Sequence, residues 1–101
     1  MRWPKYWESF VDGKQAAGFV AELRLELAPG HKLFGTEFRA LGHCVSNDDA
    51  LFVLEDGSHR VAKVHLTWKM KADRPPWPLT TIFESFEDWA AGISRRESGT
   101  S

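Results

Sequence analysis

The sequence holds a single cysteine, a single tyrosine and two methionines in 101 residues. With Cys44 alone, no disulfide can staple the chain, and the fold makes no demand for an oxidising compartment. No apolar run approaches the roughly 18 residues that suggest a membrane span. The opening Met1-Arg2-Trp3-Pro4-Lys5 leads into no apolar leader segment. The expectation is a cytoplasmic protein with no membrane association. Neither charge sign dominates: 13 basic side chains against 14 acidic ones leave a formal charge of −1. That excludes a nucleic-acid binder driven by bulk charge and an acidic solvating tail. There is no internal repeat, and the length suits one domain, 1–101, rather than two.

What the chain has in quantity is aromatic rings: five Trp and seven Phe beside the one Tyr. A domain this small buries little more than about 60% of its unfolded surface. Large rings raise apolar burial per residue, so most of them read as core. Any that stay exposed read as contact anchors.

The pairs Trp3/Trp7 and Tyr6/Phe10 have helical spacing after Pro4 and predict a short N-terminal helix. Lys14 to Ala28 carries two conflicting periods. Ala16, Val20, Leu23 and Leu27 recur as on a helix, whereas Ala21 to Leu27 alternates as a strand does. Strong helix formers fill the stretch, so helix is the reading, with residues 19–27 as a strand the alternative. Pro29-Gly30 ends it. Thr36 to Val45 predicts a strand with Phe38, Ala40 and Cys44 on one face and Glu37, Arg39, Leu41 and His43 on the other. Ala50 to Leu54 is apolar on both faces, as a central strand covered on both sides would be. Glu55-Asp56-Gly57-Ser58 signals a hairpin. Val61 to Lys69 alternates again, with Lys63, His65, Thr67 and Lys69 on its polar face. Asp73 to Pro78 is a proline-rich crossing. Thr81-x-x-Glu84 and Ser85-x-x-Asp88 both have capping-box form. A last helix is expected over Phe86 to Ile93, and 94–101 as a disordered tail.

Several of these segments resemble patterns in a set of short, mostly bacterial proteins of unknown function. They are Leu27-Ala28-Pro29-Gly30-His31-Lys32-Leu33-Phe34-Gly35, Val64-His65-Leu66-Thr67-Trp68, Pro76-Trp77-Pro78-Leu79-Thr80 and the helix carrying Trp89. In pattern form they are L-x-P-G-H-x-L, V-H-L-T-W and W-P-x-T, spread from about Gln15 to Ala91. The resemblance implies a small stand-alone cytosolic protein. It implies no activity, and no residue inherits a catalytic role from it.

His65, among Lys63, Thr67 and Lys69, can act as a general base or a partner contact, or be an ordinary half-exposed strand residue. His31, just past a helix end, reads more simply as a complement to the helix dipole, with Lys32, than as a site residue. His43 and Cys44 are neighbours on a strand and point apart, so Cys44 is a small buried hydrophobe rather than a nucleophile. No His or Cys pair has a zinc-ligand spacing, and neither metal nor cofactor is expected. Lys69, Lys71 and Arg74 near Trp68 and Trp77 have the composition of a single-strand binding surface. The segment is short and the chain slightly acidic, so nucleic acid is not the expected partner. Trp77 between prolines is either a rigid contact or the lid of one end of the core.

The expected fold is α+β: a three-stranded antiparallel meander with one helix before it and one after it, or four strands if 19–27 is a strand. Both helices are expected on the Phe38/Val64/Leu66/Trp68 face. The N-terminal aromatics or a second copy of the chain, as a homodimer, would cover the other face. The expected function is a non-catalytic protein-binding or regulatory module, with Arg39, Lys63, His65, Thr67, Lys69 and Trp77 as contact residues. The alternative is a small hydrolase or small-molecule binder using His65 and His31 with a carboxylate from Glu37, Asp48 or Asp49.

Overall fold

The computed structural model describes residues 3–99, with side chains through Ile93. Five antiparallel strands lie side by side in chain order. They are β1 (Trp7–Ser9), β2 (Phe38–Cys44), β3 (Asp49–Leu54), β4 (Val61–His65) and β5 (Leu79–Phe83). Helix α1 (Gly13–Glu26) joins β1 to β2, and α2 (Phe86–Gly99) follows β5. The class is α+β, but the three-stranded meander is corrected to five strands, and the four-stranded alternative also fails.

The two extra strands come from segments whose local signals point elsewhere. Trp3/Trp7 and Tyr6/Phe10 do not share a helix. Tyr6 takes φ 73°, the Trp7 N–H donates to the Pro4 carbonyl at 3.1 Å, and the chain leaves that turn extended along β2. Thr81 is not a cap. It lies in β5 opposite Lys63, where pairing with β4 outweighs the capping pattern. The second capping signal is real: the Ser85 hydroxyl accepts the Asp88 N–H at 3.1 Å. The backbone of α2 is helical through Gly99, while 100–101 of the expected tail lie outside the described residues.

In α1 the helix formers prevail over the period-two alternation. Asp12 caps it, its carboxylate accepting the Lys14 N–H at 2.9 Å. Leu23 and Leu27 pack with Phe38, Phe52, Val64 and Leu66 on one face of the sheet. The opposite face holds Leu51 and Val61, covered by Phe86 and Trp89 of α2 and by Trp3 and Trp7. The helices therefore sandwich the sheet. The expectation that both lie on the Phe38 face is overturned, because β3 is apolar on both sides and each side needs a cover.

A bulge between Ala40 and Gly42 shifts the β2–β3 register and reverses the facing of the last residues of β2. His43, opposite Ala50, turns to the α1 side and stacks on Phe10 at 5.0 Å. Cys44, opposite Trp7, turns to the α2 side and is buried there. This corrects the expected pairing of Cys44 with Phe38 and Ala40. Gly42 is required here: a Cβ on it would strike the Glu8 carbonyl and lie 2.6 Å from the Trp3 ring.

Candidate functional site

Residues 66–78 between β4 and β5 form a long connection. Connections beyond about 12 residues are uncommon in small domains and are usually functional or disordered. This one is ordered by α1. The expected strand Val61 to Lys69 stops at His65 because two carboxylates on α1 draw the following backbone towards the helix. Glu22 and Glu26 lie one turn apart, at 4% and 0% exposure. Glu26 accepts the N–H groups of Thr67 at 3.0 Å and Trp68 at 2.8 Å, and Glu22 accepts that of Met70 at 3.0 Å. Trp68 and Met70 adopt left-handed backbone, φ 57° and 60°. Such backbone costs a bulky residue about 1–3 kcal/mol. It also aims successive N–H groups into one concavity, as at anion sites. Here the anion belongs to the chain's own helix.

Further fastenings continue along this strap. The Asp73 N–H donates to the Glu26 carbonyl at 2.9 Å. The Thr67 hydroxyl donates to the Asp73 carboxylate at 3.1 Å, and Lys69 lies 3.6 Å from the same group. His31, buried at the end of the α1 turn, accepts the Leu33 N–H at Nδ1 (3.0 Å). Its hydrogen is therefore on Nε2, which donates to the Pro78 carbonyl at 2.8 Å. Lys32 donates to the Thr80 carbonyl at 3.2 Å. Between these anchors a cleft of about 380 Å³ is lined by Gly30, His31, Lys32, Pro75 and Pro76.

Burial pushes the Glu26 carboxyl up to about 7. A hydrogen bond with Glu22 adds to the rise, and the Thr67 and Trp68 N–H groups oppose it. Among the described residues no Lys, Arg or His pairs with either carboxylate.

The strap shows outward what the carboxylates do not hold. Trp68, Met70 and Trp77 are 41%, 71% and 42% exposed. Lys71 and Arg74 are outside the buried core and without ion-pair partners among the described residues. Of the residues expected to share one contact face, Lys69 and Trp77 lie on the strap, whereas Thr67 is turned inward by its bonds. Lys63 and His65 are on the α2 side of the sheet, since the intervening Val64 packs on the α1 side. Arg39 borders a separate cleft of about 230 Å³ beside the start of α2. The six residues do not form one face.

The residues of the catalytic alternative are also apart. Asp49 is opposite His65 on the sheet, and its carboxylate lies 2.7 Å from the His65 Nδ1. His31 contacts Thr80, which is paired with Val64 on the other side of the sheet. The sheet stands between the two histidines. Among the described residues no three His, Cys, Asp or Glu side chains gather as metal ligands. None of the described helices is long and apolar enough to cross a membrane.

Sequence reasoning missed Glu22 and Glu26, which look like the solvated half of an alternating pattern. The available signal was the conflict itself: on a helix packed through Leu23 and Leu27, positions 22 and 26 flank the apolar stripe. No family model matches the chain, and no curated protein or solved structure matches it either.

Proposed function

We propose that this chain is a non-catalytic protein-binding module whose contact surface is the 66–78 strap and whose partner is an acidic segment of another protein. The observation that carries the reading is the strap's combination of rigidity and display. Trp, Met and Arg are the residue types enriched in interface cores, and Trp68, Met70, Arg74 and Trp77 all lie on this one connection, with both indoles and the thioether exposed. Anchoring to Glu22, Glu26 and His31 means little freedom remains to be lost on association. The strap's one acid, Asp73, is engaged by Thr67 and Lys69. Lys71 and Arg74 thus give the surface a local positive charge although the whole chain is at −1. Charge complementarity favours an acidic partner bearing apolar side chains for the rings and the cleft.

The test is a selection from a random peptide library on the immobilised chain, with counter-selection on a Trp77→Ala, Arg74→Glu variant. Enrichment of acidic sequences with interspersed apolar residues, lost on the variant, is the expected result. Equal enrichment on both proteins, or binding of single-stranded oligonucleotides in preference to every peptide, would overturn it.

A further inference from the structure

We propose that Glu22 and Glu26 form a proton-controlled latch that seats the Thr67–Met70 turn, and with it the contact strap, against α1. The inference rests on the binding reading for its functional consequence but not for its mechanism.

The geometry sets the terms. Two carboxylates one helical turn apart are removed from water and take up the same turn of backbone, Thr67 to Met70. They receive three backbone N–H groups and, among the described residues, no cation. With one proton between them, the pair carries a single charge, facing three backbone donors. With none, two adjacent negative charges sit in an apolar pocket, where like-charge repulsion and lost hydration act together. Ionised Glu26 is the better acceptor for Thr67 and Trp68, but burial outweighs that gain, as the upward displacement of its carboxyl shows.

The other groups nearby do not supply the missing counter-charge. On the strap, Lys69 is held by Asp73, and Asp73 is itself acidic. On α1, Arg24 is held by Glu37 at 2.9 Å. From β2, His43 is stacked on Phe10 and lies against Phe19 at 5.5 Å. The buried core residues of this face, Phe52, Val64 and Leu66 among them, are apolar. Opening the turn returns both carboxylates to water and relieves the left-handed backbone at Trp68 and Met70.

These terms fix the direction of the pH dependence. A carboxyl at about 7 in the seated state and at its ordinary 4.5 when released binds a proton only while seated across that interval. The latch is fully closed below about 4.5, weakens as pH rises, and is weakest above about 7. Trp68 and Met70 are then displayed in one fixed arrangement on the acid side and in many on the alkaline side.

The experiment is hydrogen exchange at the Thr67, Trp68 and Met70 amides from pH 5 to 8, corrected for intrinsic rates. The expected result is a loss of protection approaching tenfold per pH unit between 5 and 7 and a plateau above 7, as release of one proton requires. Glu22→Gln removes the second carboxylate and can donate its own amide to Glu26 but leaves Glu26 buried, so in this variant the loss of protection with pH should be smaller and shifted to lower pH without disappearing. Protection independent of pH in the wild type, or an unchanged pH dependence in Glu22→Gln, overturns the latch. If that variant does not fold, carbon-13 titration of the wild-type Glu26 carboxyl decides. A midpoint that does not coincide with the loss of protection is equally fatal. A working latch in a chain that selects no acidic peptide would remove the binding reading and leave the latch standing.

Discussion

The His31 imidazole and the Pro78 carbonyl, 47 residues apart in sequence, meet at 2.8 Å. The same ring accepts the Leu33 N–H on its other nitrogen, so one buried side chain ties the α1–β2 turn to the start of β5. His31→Ala leaves the buried Leu33 N–H without a partner, at a cost of about 1–3 kcal/mol, and leaves the Pro78 carbonyl with the Thr80 hydroxyl as its remaining donor. Urea denaturation should show a loss of about 2–4 kcal/mol, with His31→Gln recovering part of it.

Gly42→Ala should be as damaging despite adding only a methyl group. The new Cβ meets the Glu8 backbone and the Trp3 ring, and β1 or the indole must withdraw. Overpacking of this kind costs about 1–3 kcal/mol. The thermal midpoint should fall, and Gly42→Ala combined with Trp3→Ala should fall by less than the sum of the two single changes.

Trp89 is 1% exposed, and its Nε1 has no hydrogen-bond partner. It stands edge-on to Trp7, with ring centres 4.7 Å apart and planes at 82°, a geometry in which an indole edge is attracted to a ring face. Trp89→Ala should cost about 3–5 kcal/mol. Trp89→Phe should cost less, because it shortens the ring but also removes the orphan donor. Calorimetry of both variants checks the order.

The Asp49–His65 pair offers a contrast. It is shorter, at 2.7 Å, yet the histidine side chain is 48% exposed. A hydrogen bond whose histidine is half in water contributes about 0.5–1.5 kcal/mol at most, at the low end where solvent competes. Asp49→Asn should shift the denaturation midpoint little, and a double-mutant cycle with His65→Gln should return a coupling below about 1 kcal/mol.

Burial of Glu26 contributes to the pH dependence of the fold's stability as well as to that of the strap. Its folded carboxyl is raised from 4.5 to about 7, so the stability it confers is complete below 4.5 and disappears as pH rises through 7. Chemical denaturation of the wild type should give a lower free energy at pH 8 than at pH 5. Glu22→Gln should narrow that gap.

Where local chemistry and tertiary demand agreed, the sequence was readable. Helix formers from Lys14 onward, the Ser85 cap, the Glu55–Ser58 hairpin and the two-sided apolar character of β3 all have counterparts in the structure. Where they diverged, it was not. Trp3 and Trp7 are four apart because a turn folds both onto Trp89, a spacing identical to that of a helix. One extra residue at Ala40–Gly42 exchanges the faces of His43 and Cys44, and alternation carries no mark of a bulge. Glu22 and Glu26 are invisible as site residues because their partners are backbone N–H groups, which have no letter in the sequence.

The packing of Trp3 against Trp89, with ring centres 5.8 Å apart, has a consequence for how the chain is made. The hairpins from β2 to β4 can pair as soon as each is synthesised. The cover over Leu51 and Val61 cannot, because its first ring leaves the ribosome early and its last leaves late. Until α2 emerges, one side of the sheet stays uncovered, and the N-terminal aromatics wait without their partner. Closing this face therefore brings together two segments distant in the chain, and removing Trp3 should uncover part of the surface that truncating before Trp89 uncovers more fully.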